Sequence, residues 1–136
     1  MIIDTSVLVA MIKHEPESAQ FATAIRSSLP RYMSAASYLE AGIVIDREKN
    51  DALSLQIDEF IQLLDITFVP VSVFQVRIAR AAYRAHGKDS GSKAKLNFGD
   101  CFTYALAMEM NEPLLFKGKD FNHTDVRIDE RSVILS

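Results

Sequence analysis

Four acidic residues stand where a hydrolytic site could be assembled: Asp4, Glu40, Asp100 and Asp120. Asp4 follows the apolar pair Ile2-Ile3, and Asp120 follows Leu114-Leu115-Phe116 by way of Lys117-Gly118-Lys119. In open α/β sheets the ligand crevice lies outside the carboxyl ends of the strands, so an acid placed directly after a strand is a candidate for chemistry. Glu40 interrupts an apolar stripe of Ala36, Ile43 and Val44 at helical spacing. Asp100 opens a segment, Cys101 to Met108, that is apolar nearly all round and predicts a central helix. Each acid also has an ordinary reading: Asp4 and Asp100 as helix N-caps, Glu40 as an edge acid reaching water, Asp120 as a loop acid. The set says more than its members, because clustered carboxylates repel one another and stay charged only beside cations. Mg²⁺ or Mn²⁺ suits such a cluster, since these hard ions take oxygen ligands and complete their shell with water and substrate phosphate oxygens. One ion, or two about 3.5–4 Å apart, would activate a water for in-line attack on phosphorus and stabilise the departing oxygen. The expected chemistry is phosphoryl transfer or hydrolysis.

The elements that must position these acids are legible in outline. Residues 1–4 read as a strand and 5–13 as a helix introduced by Thr5-Ser6. A second helix, with Pro16 in its first turn, runs to about Ser27, and Arg31-Tyr32-Met33 is a short strand. Helical patterns cover 35–48 and 51–65, Thr67-Phe68-Val69 is β-rich, and Ser72 can cap a helix to about His86. The Gly/Ser/Lys-rich stretch 87–95 is a mobile-looking loop able to close over substrate, followed by a helix from about Gly99 to Met110. Leu114 to Phe116 is a buried-strand pattern, and Val126 to Ile128 is a weaker last strand. Thr103, one turn beyond Asp100, is placed to support it by hydrogen bonding. Short strands alternating with longer helices predict an α/β fold, a parallel sheet covered by helices on both faces.

Composition narrows the function classes. A chain of 136 residues is expected to form one domain, 1–136, with an ordinary globular composition. A lone cysteine, Cys101, excludes an internal disulfide, and no Cys/His spacing suits zinc, so the reducing cytoplasm is the expected location. No apolar run approaches a membrane span, and the first residues lack the pattern of a signal peptide. There is no P-loop, no dinucleotide fingerprint and no nucleophile elbow around Ser6. An aspartyl-phosphate enzyme of the Asp-x-Asp kind would need an acid at position 6, where Ser6 stands. The histidines, His14, His86 and His123, have no catalytic context, although His86 and His123 could touch phosphate.

Met-Ile-Ile-Asp4-Thr-Ser, Ala-Ser-Tyr-Leu-Glu40, Leu96-Asn-Phe-Gly-Asp100-Cys-Phe-Thr-Tyr-Ala-Leu-Ala107 and Leu114-Leu-Phe-Lys-Gly-Lys-Asp120-Phe together resemble the PIN-domain nucleases, and among them the VapC toxins of toxin–antitoxin pairs. The resemblance spans nearly the whole chain. It implies a three-layer α/β/α fold with a short parallel central sheet, and an endoribonuclease site in which Asp4, Glu40, Asp100 and Asp120 hold Mg²⁺ or Mn²⁺. Asp4 and Asp100 would bind the ion, Glu40 and Asp120 would act directly or through water, and Ser6 and Thr103 would support them. Asp125, close behind Asp120, is an alternative fourth acid. The resemblance also implies a homodimer, a small cognate antitoxin covering the acidic groove, and tRNA or another structured RNA as substrate. A housekeeping RNA-processing nuclease and an inactive PIN-like interaction module remain open beside the toxin reading.

The formal charge of −3 opposes indiscriminate binding of nucleic acid, so contacts to RNA must be local. Residues 77–95 supply them: Arg77, Arg80, Arg84, Lys88, Lys93 and Lys95 against a single acid, Asp89. The three arginines share one helical face, while Phe74, Ile78, Ala81 and Ala85 are expected to line the packed one. Lys117 and Lys119 flank Asp120 and are expected near phosphates.

Overall fold

The central strands are two or three residues long, and Ile2–Ile3 in the middle and Leu114–Leu115 at one side of the sheet are buried on both faces. In the computed structural model, which describes residues 1–136, the strands are β1 (Ile2–Ile3), β2 (Tyr32–Ser34), β3 (Thr67–Val69) and β4 (Leu114–Leu115). All pair in parallel, in the order β3-β2-β1-β4, with Ile2 opposite Tyr32 on one side and Leu114 on the other. Successive side chains of a strand point to opposite faces. Ile3 and Leu115 therefore enter one core with Met33, and Ile2 and Leu114 enter the other with Phe116. The first core is closed by α1 (Thr5–Ile12), α2 (Ser18–Arg26), α3 (Ala35–Asp46) and α4 (Asp51–Leu63). The second is closed by α5 (Val73–His86) and α6 (Phe98–Met110). This is the α/β/α layering expected from the alternation of strands and helices. No helix is long and apolar enough to cross a membrane.

Three expectations need correction. The final strand at 126–128 does not form: Ile128 makes a single bridge to Leu114, and the chain then turns away. The turn is held by Asp129, which accepts from the Arg131 backbone N–H at 2.9 Å and from its guanidinium at 2.7 and 2.8 Å. The strand that follows, β6 (Val133–Ile134), pairs in parallel with β5 (Lys117–Gly118) and lengthens the exit from β4. Pro16 lies before α2 rather than in its first turn, in a bend closed by the Ser18 N–H donating to the Glu15 carbonyl at 2.9 Å. On α5 the packed face is Gln75, Ala79 and Ala82, whereas Phe74 is 59% exposed and Ala81 and Ala85 are also exposed. Small residues at 79 and 82 let α5 lie close against α6, which outweighs the burial that a larger Phe74 would offer.

The helices leave the sheet from capped starts. Asp4 ends β1 and caps α1, and Ser34 ends β2 and caps α3, its hydroxyl accepting from the Ala36 N–H at 3.2 Å. Ser72 caps α5 as its sequence position predicts. The cap of α6 is Asn97, not Asp100: Asn97 Oδ1 accepts from the Asp100 N–H at 2.9 Å, and Asp100 Oδ2 accepts from the Asn97 N–H at 3.0 Å. This reciprocal box satisfies two donors that the helix start would otherwise leave open. Asn97→Ala should therefore lower stability by about 1 kcal/mol, seen as a lower urea midpoint at unchanged slope, and Asn97→Ser, which keeps a capping oxygen, should recover most of it.

Candidate active site

Asp4 is the anchor of the site. It is 6% exposed, and both carboxylate oxygens are engaged. Oδ2 accepts from the Ser6 N–H at 3.0 Å and from the Ser6 hydroxyl at 2.6 Å. Oδ1 accepts from the Thr103 hydroxyl at 2.8 Å. Because an ionised carboxylate only accepts, the direction of each proton follows. Thr103 spends its proton on Asp4, so in its 3.0 Å contact with the Ser37 hydroxyl it is Ser37 that donates. Ser6 likewise spends its proton on Asp4 and accepts from the Lys117 N–H at 3.0 Å. Three elements, α3, α6 and the exit of β4, thereby orient one carboxylate. Ser6, expected as a supporting residue, makes both of its donor contacts to Asp4. Thr103 supports Asp4 rather than Asp100, because its hydroxyl points across the sheet end toward α1 instead of back along its own helix.

Asp4, Glu40, Asp100 and Asp120 line one cavity of about 260 Å³, together with Ser6 and Lys117. Asp125 lies outside it, accepting from the Tyr104 hydroxyl at 2.5 Å with His86 at 3.8 Å. The carboxyl of Asp100 is pushed up to about 8, first by burial and then by the Asp4 charge, with Asp120 and Glu40 adding to it and the Asn97 N–H opposing. Glu40 is also raised, chiefly by burial, with the Asp4 charge adding. These are the marks of anionic groups gathered without a counter-charge. The donor set is all oxygen and fits a hard divalent ion. No three acidic, histidine or cysteine side chains are gathered closely enough to hold a metal ion among them. Mg²⁺ does not require three, since it keeps several waters and takes one or two carboxylates.

What lets Glu40 reach this cavity is a glycine whose role the pattern of acids does not reveal. A β-carbon at Gly99 would stand 1.8 Å from Glu40 Oε2 and 2.6 Å from its carboxyl carbon, so the bare backbone of residue 99 is the surface against which the carboxylate lies. The signal was present in the Gly immediately before Asp100, but nothing in a single sequence says which side chain needs the space. The apolar stripe around Glu40 is also not core: α3 buries Ser37, Ala41 and Ile45, leaving Leu39 63% and Ile43 44% exposed. Beside Glu40 these residues join Val44, Phe98 and Phe102 in an apolar groove. Cys101 is buried, and burial together with the Asp100 charge pushes its thiol up to about 11, which suits a packing role.

The basic residues fall into separate places. Arg77, Arg80 and Arg84 are exposed along α5, and Arg80 borders a second apolar groove with Phe98 and Phe102. Lys88 is exposed where α5 ends. Lys93, Lys95 and Lys119 share a polar pocket with Asp120 and His123. Lys117, expected to face phosphate, turns its ammonium to Glu15 at 2.5 Å and Glu17 at 2.9 Å. Two adjacent acids neutralise that charge, and Lys117 serves the cavity through its backbone N–H instead. The segment 87–95 is tied at its ends, with the Lys88 N–H donating to the Leu96 carbonyl at 3.0 Å and the Leu96 N–H to the His86 carbonyl at 2.8 Å. The stretch expected as a loop able to close over substrate is thus pinned where its two ends meet.

Residues 1–127 match the family model described as PIN domain, a span that contains every acid of the cavity. The chain belongs to the PIN-domain family. Over 127 residues this PIN domain is 47% identical to Ribonuclease VapC28 of Mycobacterium tuberculosis, covering 93% of this chain and 96% of that one. It is 44% identical over 126 residues to Ribonuclease VapC30 of the same organism, covering 93% and 95%. It is 43% identical over 126 residues to Ribonuclease VapC of Mycolicibacterium smegmatis, covering 93% and 97%. The chain falls within the VapC branch of the family. A crystal structure of Mycobacterium tuberculosis VapC20, described as a Sarcin-Ricin loop cleaving toxin, superposes with a TM-score of 0.71 at 14% identity, covering 93% of this chain and 98% of that one. That likeness carries the fold.

The repulsion within the cavity has a measurable cost. Asp100 has a folded-state value above its unfolded one, so without bound cation the native state loses stability as pH rises from about 4 toward 8. Asp100→Asn keeps an oxygen for the capping box and removes the charge. Its melting temperature without metal should exceed that of the wild type by several degrees at pH 8, with the gain shrinking toward pH 5; an equal gain at both values would reject the electrostatic account.

Proposed function

We propose that this PIN domain is a Mg²⁺- or Mn²⁺-dependent endoribonuclease, the toxin of a VapBC-type toxin–antitoxin pair, acting in the cytoplasm on tRNA or another structured RNA. The observation that carries the reading is the convergence of Asp4, Glu40, Asp100 and Asp120 on one cavity, with both Asp4 oxygens oriented by hydroxyl donors. The naming of relatives at 43–47% identity as VapC ribonucleases supports it.

Asp4 and Asp100 are the residues that would hold the ion, with Glu40 and Asp120 acting directly or through water. A divalent cation supplies a water of lowered pKa and charge stabilisation at phosphate oxygens. The protein's own part is placement. Ser6 and Thr103 fix the orientation of the Asp4 carboxyl group, and Asn97 fixes Asp100 at the start of α6. Gly99 leaves the space in which Glu40 lies. With water as nucleophile, and not the neighbouring 2′-hydroxyl, the products carry 5′-phosphate and 3′-hydroxyl ends. The apolar groove beside Glu40, where Phe98 is 77% exposed, suits a protein partner. We read that partner as a small antitoxin covering the cavity, with a second copy of the chain completing a homodimer.

Because Asp100 and Glu40 hold protons more tightly than free carboxylates, entry of a cation must displace them. Titration with Mn²⁺ in weak buffer at pH 7 should release about one proton per ion bound, and apparent affinity should rise with pH up to about 8. Asp100→Asn should abolish that release.

The deciding experiment is digestion of total cellular RNA by antitoxin-free protein with Mg²⁺, Mn²⁺ or EDTA, followed by mapping of the cut ends. Discrete cuts should vanish with EDTA and in Asp4→Asn and Glu40→Gln. Gly99→Ala should lose about tenfold or more in rate while its melting temperature stays close to that of the wild type, since only the tip of Glu40 has to move. Full activity in both carboxamide variants would overturn the site assignment, and absence of cleavage by folded wild type would favour a binding module.

A further inference from the structure

On the Asp120 side the acidic cavity is continued by a basic one. The two share Asp120 as a wall, and the second, also about 260 Å³, is lined by Lys93, Lys95, Lys119 and His123. We propose that this pocket is a subsite for the RNA phosphate next to the one being cut, so that it sets the register of the strand across the carboxylates. The inference rests on the ribonuclease reading and specifies how that site takes its substrate.

Three observations carry it. First, the cations are uncommitted: Lys93, Lys95 and Lys119 take part in no ion pair, whereas Lys117, two residues from Lys119, is occupied by Glu15 and Glu17. Second, the wall is braced. Ala94 and Leu96 are buried at 1% and 0% exposure, and their alternation with Lys93 and Lys95 turns both lysines outward. The Ala94 N–H donates to the Ser92 hydroxyl at 3.1 Å, and the Ser90 hydroxyl donates to the Gly87 carbonyl at 2.6 Å. Lys95 itself is held at φ 56, a left-handed conformation unusual for a residue with a side chain and a mark of local strain. Third, the neighbouring cavity is lined by four acids and, without a cation, offers a polyanion no attraction. Attraction must come from cations placed where the same strand passes, and these three are uncommitted and share a wall with the acids. Arg77, Arg80 and Arg84 line neither cavity. They serve a sequence-independent surface, whereas the lysine pocket stands at a fixed place relative to the acids. Binding energy spent there can orient the scissile bond.

The test uses Lys93→Ala/Lys119→Ala in the full chain, with two readouts. Binding of a short fluorescein-labelled single-stranded RNA of mixed sequence is followed by anisotropy in EDTA over a salt series, which keeps chemistry out of the measurement. Cleavage of the same RNA with Mn²⁺ gives kcat and KM. The double variant should weaken binding about tenfold and flatten the dependence of log K on log salt by about 0.7 for each phosphate that is no longer neutralised. KM should rise by a similar factor, kcat should fall because the strand is no longer held in register, and Lys93→Arg/Lys119→Arg should restore both. Unchanged affinity and slope would overturn the subsite even where wild type cuts RNA and the nuclease reading stands. Loss of affinity and slope in the variant, with no cutting by wild type, would keep the phosphate pocket and overturn the nuclease reading instead.

Discussion

The structure is organised around one buried carboxylate. Asp4 sits at the carboxyl end of β1, between Ile3 on one core and the N-terminus of α1, where an uncompensated charge would cost several kcal/mol. Three donors offset that cost, two from Ser6 and one from Thr103, and each donor is itself held by a further element. Thr103 is fixed by Ser37 on α3, and Ser6 by the Lys117 N–H at the exit of β4. The parallel sheet makes this possible, because β1 lies between β2 and β4 and their carboxyl ends emerge together. A fold that brought only one of these ends to the same edge would leave Asp4 either unpaired or exposed.

The other acids spend the stability that this arrangement provides. Asp100, Glu40 and Asp120 approach an already charged group, and the upward displacement of Asp100 and Glu40 records the repulsion. The site is thus loaded against itself, and a cation bound there, as proposed, would relieve the repulsion. Its flanks differ in kind: apolar beside Glu40, basic beside Asp120. One carboxylate faces a surface suited to protein, and the other a surface suited to a polyanion.

Much of this was legible in the sequence. The strand ends at Ile3 and Leu115 and the apolar run after Asp100 pointed to three of the acids that line the cavity, because sheet topology restricts where a ligand crevice can lie. Other features were hidden for identifiable reasons. Asp100 looks like an N-cap from composition, but the cap is Asn97, and only the hydrogen bonds separate a residue that starts a helix from one three places inside it. The stripe Ala36, Ile43, Val44 has the spacing of a core face, yet α3 packs through smaller residues, Ser37 and Ala41, along with Ile45. The same preference for close approach turned α5 by Ala79 and Ala82. Local periodicity reports apolar faces, not which of two such faces finds a neighbour. The pairing of Lys117 with Glu15 and Glu17, about a hundred residues away, has no sequence signature at all.

Two of the site's acids also help to start helices, Asp4 as the cap of α1 and Asp100 as the third residue of the box that begins α6, and that has a bearing on how the protein can be silenced by inheritance. Truncating Asp4 to alanine strips α1 of its cap and strands the hydroxyls of Ser6 and Thr103, and truncating Asp100 opens the box that begins α6. On the proposed assignment such lesions would remove chemistry and erode folding together, so their carriers would lose the molecule as well. Glu40 lies in the middle of α3 and caps nothing. A chain damaged there keeps its helix starts, its grooves and its abundance, and goes on occupying whatever binds the intact form, which makes position 40 the place where loss of activity and loss of protein come apart.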